Sequence, residues 1–129
     1  METVLYHDPL PLADPTGLKH FFLTQGVQMR VVPASQLHQT LGHLAGLEGC
    51  PARPAPATPA RVGEPVMVFC GFPRDRLDQV LDAMKAASAP RCLKAVLTAT
   101  NRAWPFARLC AELQSEREEI AKAARKQGG

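Results

Sequence analysis

Val96-Leu97-Thr98-Ala99-Thr100-Asn101 repeats the pattern of Val31-Val32-Pro33-Ala34-Ser35-Gln36, which lies 65 residues earlier. The same spacing carries Leu41 onto Phe106 and Leu44 onto Leu109. Working outward, residues 3–47 run apolar strand, amphipathic helix, apolar strand, helix, and residues 66–126 run through the same four elements. Between them, residues 51–65 hold five prolines and four alanines, a composition that suits an extended, mobile linker. The pattern predicts an α/β protein of one domain built from two β-α-β-α halves. Residues 1–49 form the first half, 50–65 the linker and 66–129 the second half, which ends in a long helix.

Composition bounds the rest. A chain of 129 residues fits a single domain, and 46% hydrophobic with 5% aromatic residues means a core of Leu, Val, Ala and Met. No basic region followed by a long apolar run opens the chain, and no apolar run nears the roughly 20 residues that span a bilayer. No membrane partner is expected, and the cytoplasm is the expected location. Cys50, Cys70, Cys92 and Cys110 include no Cys-x-x-Cys pair, so they read as free thiols. Residues 1–50 hold two Lys/Arg against four acids, a net of −2, and residues 51–129 hold thirteen against eight, a net of +5. That asymmetry permits an anionic partner for the second half, nucleic acid included.

Each element carries its own signal. Thr3–Tyr6 is the first strand, and Asp14-Pro15 starts a helix whose Leu18, Phe21 and Phe22 share one face before Gly26. Val27–Val32 alternates apolar and polar, as an edge strand does. Ser35 caps a helix carrying Leu37, Leu41 and Leu44, weakened by Gly42 and Gly46. Val66–Cys70 is apolar on both faces, which places it centrally. Arg74–Ser88 is a strong helix, with Leu77, Val80, Leu81 and Met84 on one side, and Leu93–Leu97 is a second edge strand. The last helix starts near Trp104-Pro105, and its apolar stripe ends at Leu113, so its final turns project past the sheet.

Short alternating connections predict a four-stranded, mostly parallel sheet of order 2-1-3-4 with helices on both faces. A ferredoxin-like antiparallel sheet is the runner-up. In a parallel sheet all strand carboxyl ends share one rim, and ligands bind where the winding reverses. That rim would gather His7, Asp8 and Ser35 with Cys70, Gly71, Arg74, Thr98, Asn101 and Arg102. The candidate is a small anion, a nucleotide or phosphorylated metabolite, held by Arg74, Thr98, Asn101 and Arg102 near Cys70-Gly71. The same residues also fit plainer roles as helix caps and solvated first turns. Cys70 beside Arg74 is a candidate thiolate. His38 and His43, five apart, diverge on a helix, so no metal site is expected. No phosphate loop, catalytic carboxylate pair or triad pattern appears, so neither catalysis nor a cofactor is expected.

Residues Pro65 to about Ile120 resemble an uncharacterised family of small bacterial proteins, classed as a domain of unknown function. The resemblance rests on the strand ending Cys70-Gly71-Phe72, the Leu77–Met84 helix, Lys94–Thr98, Asn101, Trp104, and the run Leu109, Glu112, Leu113, Glu116. It covers under half the chain and implies no catalytic residues, but it singles out Thr98, Asn101 and Trp104. The functional expectation is an interaction or regulatory module, self-associating or binding a protein through its last helix. The alternatives are the anion site at the rim and nucleic-acid binding through Arg74, Arg76, Arg91, Arg102 and Arg108.

Overall fold

Thr3–His7 and Val66–Cys70 are each buried at all five positions; the second is apolar throughout, and the first carries Thr3 and His7 as buried polar residues at its two ends. They are β1 and β3 of a computed structural model that describes residues 2–9, 16–58, 60–87 and 92–128. The other elements are α1 (Thr16–Thr24), β2 (Gln28–Val31), α2 (Leu41–Leu44), α3 (Arg74–Ala86), β4 (Leu93–Val96) and α4 (Phe106–Gly128). Single 3₁₀ turns lie at Ala34–Gln36 and Asn101–Ala103. The strands form one sheet of order β2-β1-β3-β4. As predicted, the apolar strands are central and the alternating strands lie at the edges.

Strand direction differs from the expected single rim. β1 pairs with β2 in parallel and β3 with β4 in parallel, but the central pair β1–β3 is antiparallel. Burial of β3 on both faces does not demand a parallel neighbour; it demands helices above and below, and these are present. The long connection between the halves allows the chain to re-enter the sheet in the reverse direction.

On one face Val4, Tyr6, Met67 and Phe69 pack against Leu18 and Phe22 of α1 and Val80 and Met84 of α3. On the other, Leu5, Val66, Val68 and Cys70 meet Leu37, Leu41 of α2, and Phe106, Leu109 and Cys110 of α4. Val62 from the connecting segment joins this second layer. That segment has no helix or strand among its described residues, yet Arg53 N–H donates to Gln39 Oε1 at 2.8 Å.

The second helix is shorter than its leucine stripe predicts. Ser35 lies inside a 3₁₀ turn, and the cap is Thr40, whose Oγ1 accepts from His43 N–H at 3.1 Å. Four helical residues and the cap Ala45 follow before the backbone turns at Gly46 (φ 78°). Leu37 and Leu41 stay fully buried, because the fold needs their side chains more than a continuous helix. Asp14-Pro15, Ser88 and Arg91 lie outside the described residues.

Candidate functional site

Because β1 and β2 run in parallel, Tyr6-His7-Asp8-Pro9 and Val31–Ala34 leave the sheet side by side on one rim. Leu37 and Ala60-Arg61-Val62 of the connecting segment complete a cavity of about 500 Å³. That size lies in the range that holds small molecules, about 300–1,000 Å³. Val31, Val32, Pro33, Ala34, Leu37 and Val62 make its lining largely apolar.

His7 is the polar centre. It is only 4% exposed, and its Nδ1 lies 2.8 Å from the carbonyl oxygen of Val32. A carbonyl can only accept, so Nδ1 carries the proton and the neutral ring keeps a lone pair on Nε2. Nε2 has no partner among the described residues, and no fully buried side-chain nitrogen or oxygen there lacks one. Nε2 is therefore among the few atoms of His7 that reach open space. Phe106 supports the ring edge-on at 6.2 Å.

The neighbouring groups set the charge. Tyr6 O–H donates to Asp8 Oδ2 at 3.3 Å; burial, then the Asp8 carboxylate, pushes its phenol up to about 12. Tyr6 thus stays protonated. Arg61 adds a cation on an exposed residue. Neutral Nε2 accepts a hydrogen bond from a ligand hydroxyl or amide; as imidazolium it donates to a carboxylate. None of the described lining residues is Ser, Thr, Cys or Lys, so the lining offers hydrogen bonds and apolar contact rather than an alkoxide, thiolate or amine nucleophile.

The residues expected at a single rim divide between two. His7, Asp8 and Ser35 follow β1 and β2, while Cys70, Gly71, Arg74, Thr98, Asn101 and Arg102 follow β3 and β4 on the opposite rim. The antiparallel centre separates them, which corrects the expectation that all would converge. Within the second group, Thr98 N–H donates to Asn101 Oδ1 at 2.8 Å, and Asn101 N–H donates back to Thr98 Oγ1 at 3.1 Å. Asn101 Nδ2 also donates to Val96 O at 3.0 Å. These bonds fasten the turn after β4. Burial pushes the Cys70 thiol up to about 11, with Arg30 pulling weakly the other way, so Cys70 is a protonated thiol at neutral pH and not a thiolate. Gly71 takes a left-handed turn (φ 77°), and Arg74 and Arg102 are exposed. His38 and His43 contact the carbonyls of Arg53 and Cys50, at 3.2 and 3.1 Å.

Sequence reasoning located His7 and Asp8 at a strand end but missed the cavity. Its apolar wall comes from residues that read as core, and its far side from Ala60–Val62, where nothing in the linker composition marks a binding surface. No curated protein and no solved structure matches the chain. What does match is residues 65–120, which fit the family model of a domain of unknown function, DUF3783, so the second half is the part with recognised relatives and the cavity-forming first half lies outside them.

Proposed function

We propose that the chain is a non-enzymatic regulatory module of the cytoplasm that takes a small, mainly apolar ligand bearing one polar or carboxylate head. One observation carries this reading: a buried histidine, one nitrogen held by a backbone carbonyl, is part of the lining of an apolar cavity at a strand end. The apolar body would replace water along Val31, Val32, Leu37 and Val62, at about 25 cal/mol per Å² of buried surface. The head would meet His7 Nε2, with Arg61 favouring an anion.

A thermal-shift panel of branched and medium-chain carboxylic acids, matched alcohols and inorganic phosphate tests it. An acid or alcohol should raise the wild-type midpoint, and both His7→Phe and the cavity-filling Val31→Trp should abolish the shift. Stabilisation by phosphate that depends on Arg74 and Arg102 would move the site to the other rim. No stabilisation by any member would sink both ligand readings.

A second reading, docking of a protein or a second chain on α4, is favoured by the exposure of Ser115 through Ile120, with Ile120 at 69%. Truncation after Ser115 should then weaken a complex seen by sedimentation. Nucleic-acid binding has less support: Arg76 bonds Glu2 and the Gln25 carbonyl, and Arg108 stacks 4.3 Å from the Trp104 ring centroid. Duplication of one β-α-β-α unit is the origin we propose for the two halves. It is supported by the pairing Thr3↔Gln28, which recurs as Val66↔Leu93 and continues so through Tyr6↔Val31 and Phe69↔Val96.

A further inference from the structure

The two halves are related by more than element order. Moving 63 residues along the inner strands turns each β1–β3 partnership into another: Val4↔Phe69 becomes Met67↔Tyr6, and Thr3↔Cys70 becomes Val66↔His7. Leu5↔Val68 maps onto itself. A pair that maps onto itself lies on a two-fold axis.

A second, independent place obeys the same rule. Leu41 N–H donates to Trp104 O at 3.0 Å, and Phe106 N–H donates to Gln39 O at 2.9 Å. A shift of 65 residues takes Leu41 to Phe106 and Gln39 to Trp104, so each bond is the image of the other. The bridge between them, Thr40↔Pro105, again maps onto itself. The bonds that enter and leave the outer strands also match: Gln28 N to Glu2 O with Leu93 N to Pro65 O, and Val32 N to Tyr6 O with Leu97 N to Phe69 O.

Such an interface is isologous in geometry, the kind that joins identical subunits. Here the two subunits are halves of one chain, joined by a segment without helix or strand among its described residues. We infer that the halves are exchangeable: the first half of one chain pairs with the second half of another, closing a dimer whose two interfaces reproduce the one inside the monomer. Every contact across Leu5–Val68 and Thr40–Pro105 is kept, so the connecting segment's reach decides between monomer and dimer. The inference rests on the register and not on the ligand reading. Loss of ligand binding would leave it intact.

Deleting residues 54–58 tests it in the whole chain. It removes roughly 17 Å of extended reach at about 3.3–3.6 Å per residue, while sparing Arg53 and Ala60–Val62. Light scattering should show a single-chain mass for the full 14.0 kDa protein and a two-chain mass for the deletion protein, with an unchanged far-ultraviolet spectrum. Leu5→Cys with Val68→Cys, placed in the deletion chain, should then give a disulfide between chains by peptide mass mapping. A folded monomer, or a dimer with that disulfide inside each chain, overturns the inference. If the deletion chain does not fold, full-length Leu5→Pro and Val68→Pro chains decide. Each alone should lose cooperative unfolding, and a 1:1 mixture should regain it as a heterodimer through the one undamaged pairing. A mixture that stays unfolded, or either variant folding alone, overturns it.

Discussion

Gly42 of α2 lies against the turn before α4, a backbone segment of the other half. A Cβ there would collide with Cys50 Sγ and lie 3.1 Å from the Arg102 carbonyl oxygen. One contact is a short side chain and the other is backbone, so neither yields easily. Gly42→Ala is expected to destabilise by about 1–3 kcal/mol, despite the better helix propensity of alanine, as read by urea denaturation. Asn101, in the second half, acts through hydrogen bonds instead. Asn101→Ala would remove the bonds to Thr98 N–H and Val96 O, both on exposed residues, and should lose about 0.5–1.5 kcal/mol with no effect on any ligand held at His7. If Asn101→Ala instead weakened such a ligand, the cavity would not be the site.

At the level of elements, the strands and long helices were legible because each carries a period that only one structure satisfies. Val66–Cys70 reads as buried on both faces, and Leu77, Val80, Leu81 and Met84 read as one helical side. The helix after β2 was not legible in that way: Leu37, Leu41 and Leu44 share a helical spacing, but Thr40 and Gly46 punctuate it into a turn and four helical residues. α4 shows where stability resides. Phe106 is fully buried and Leu113 half-buried, whereas Ser115 through Ile120 face water and are tied back through the exposed Arg117–Glu64 pair. Phe106→Ala should cost about 3–5 kcal/mol. Truncation after Ser115 should cost no more than about 1 kcal/mol, since an exposed ion pair contributes little. Comparable losses from the two changes would show that the projecting turns pack on the core.

For the whole molecule, the order 2-1-3-4 followed from which strands were apolar throughout, but direction did not, because residues 51–65 contain no signal for which way the chain re-enters the sheet. Burial also fixes how the protein meets alkali. Desolvation raises the thiols of Cys70 and Cys110 from 9.0 to about 11 and about 12, and the phenol of Tyr6 from 10.0 to about 12. The unfolded chain therefore gives up these protons first. Their contribution is complete below pH 9 and is lost as pH rises from there to about 12. Burial raises the Cys92 thiol as well, so the thermal midpoint should fall steeply across that window, and Cys70→Ala, Cys92→Ala and Cys110→Ala together should delay the fall to the range where tyrosine ionises. Finally, β2 and β4 each have a neighbour on one side only. Joining the β4 margin of one molecule to the β2 margin of the next gives no closed ring by necessity, and so invites fibre growth. Lys94, exposed within β4, places a charge on that margin, one of the devices that discourage edge-to-edge pairing. Lys94→Thr should therefore lower the temperature at which heated solutions turn turbid, at unchanged folding stability.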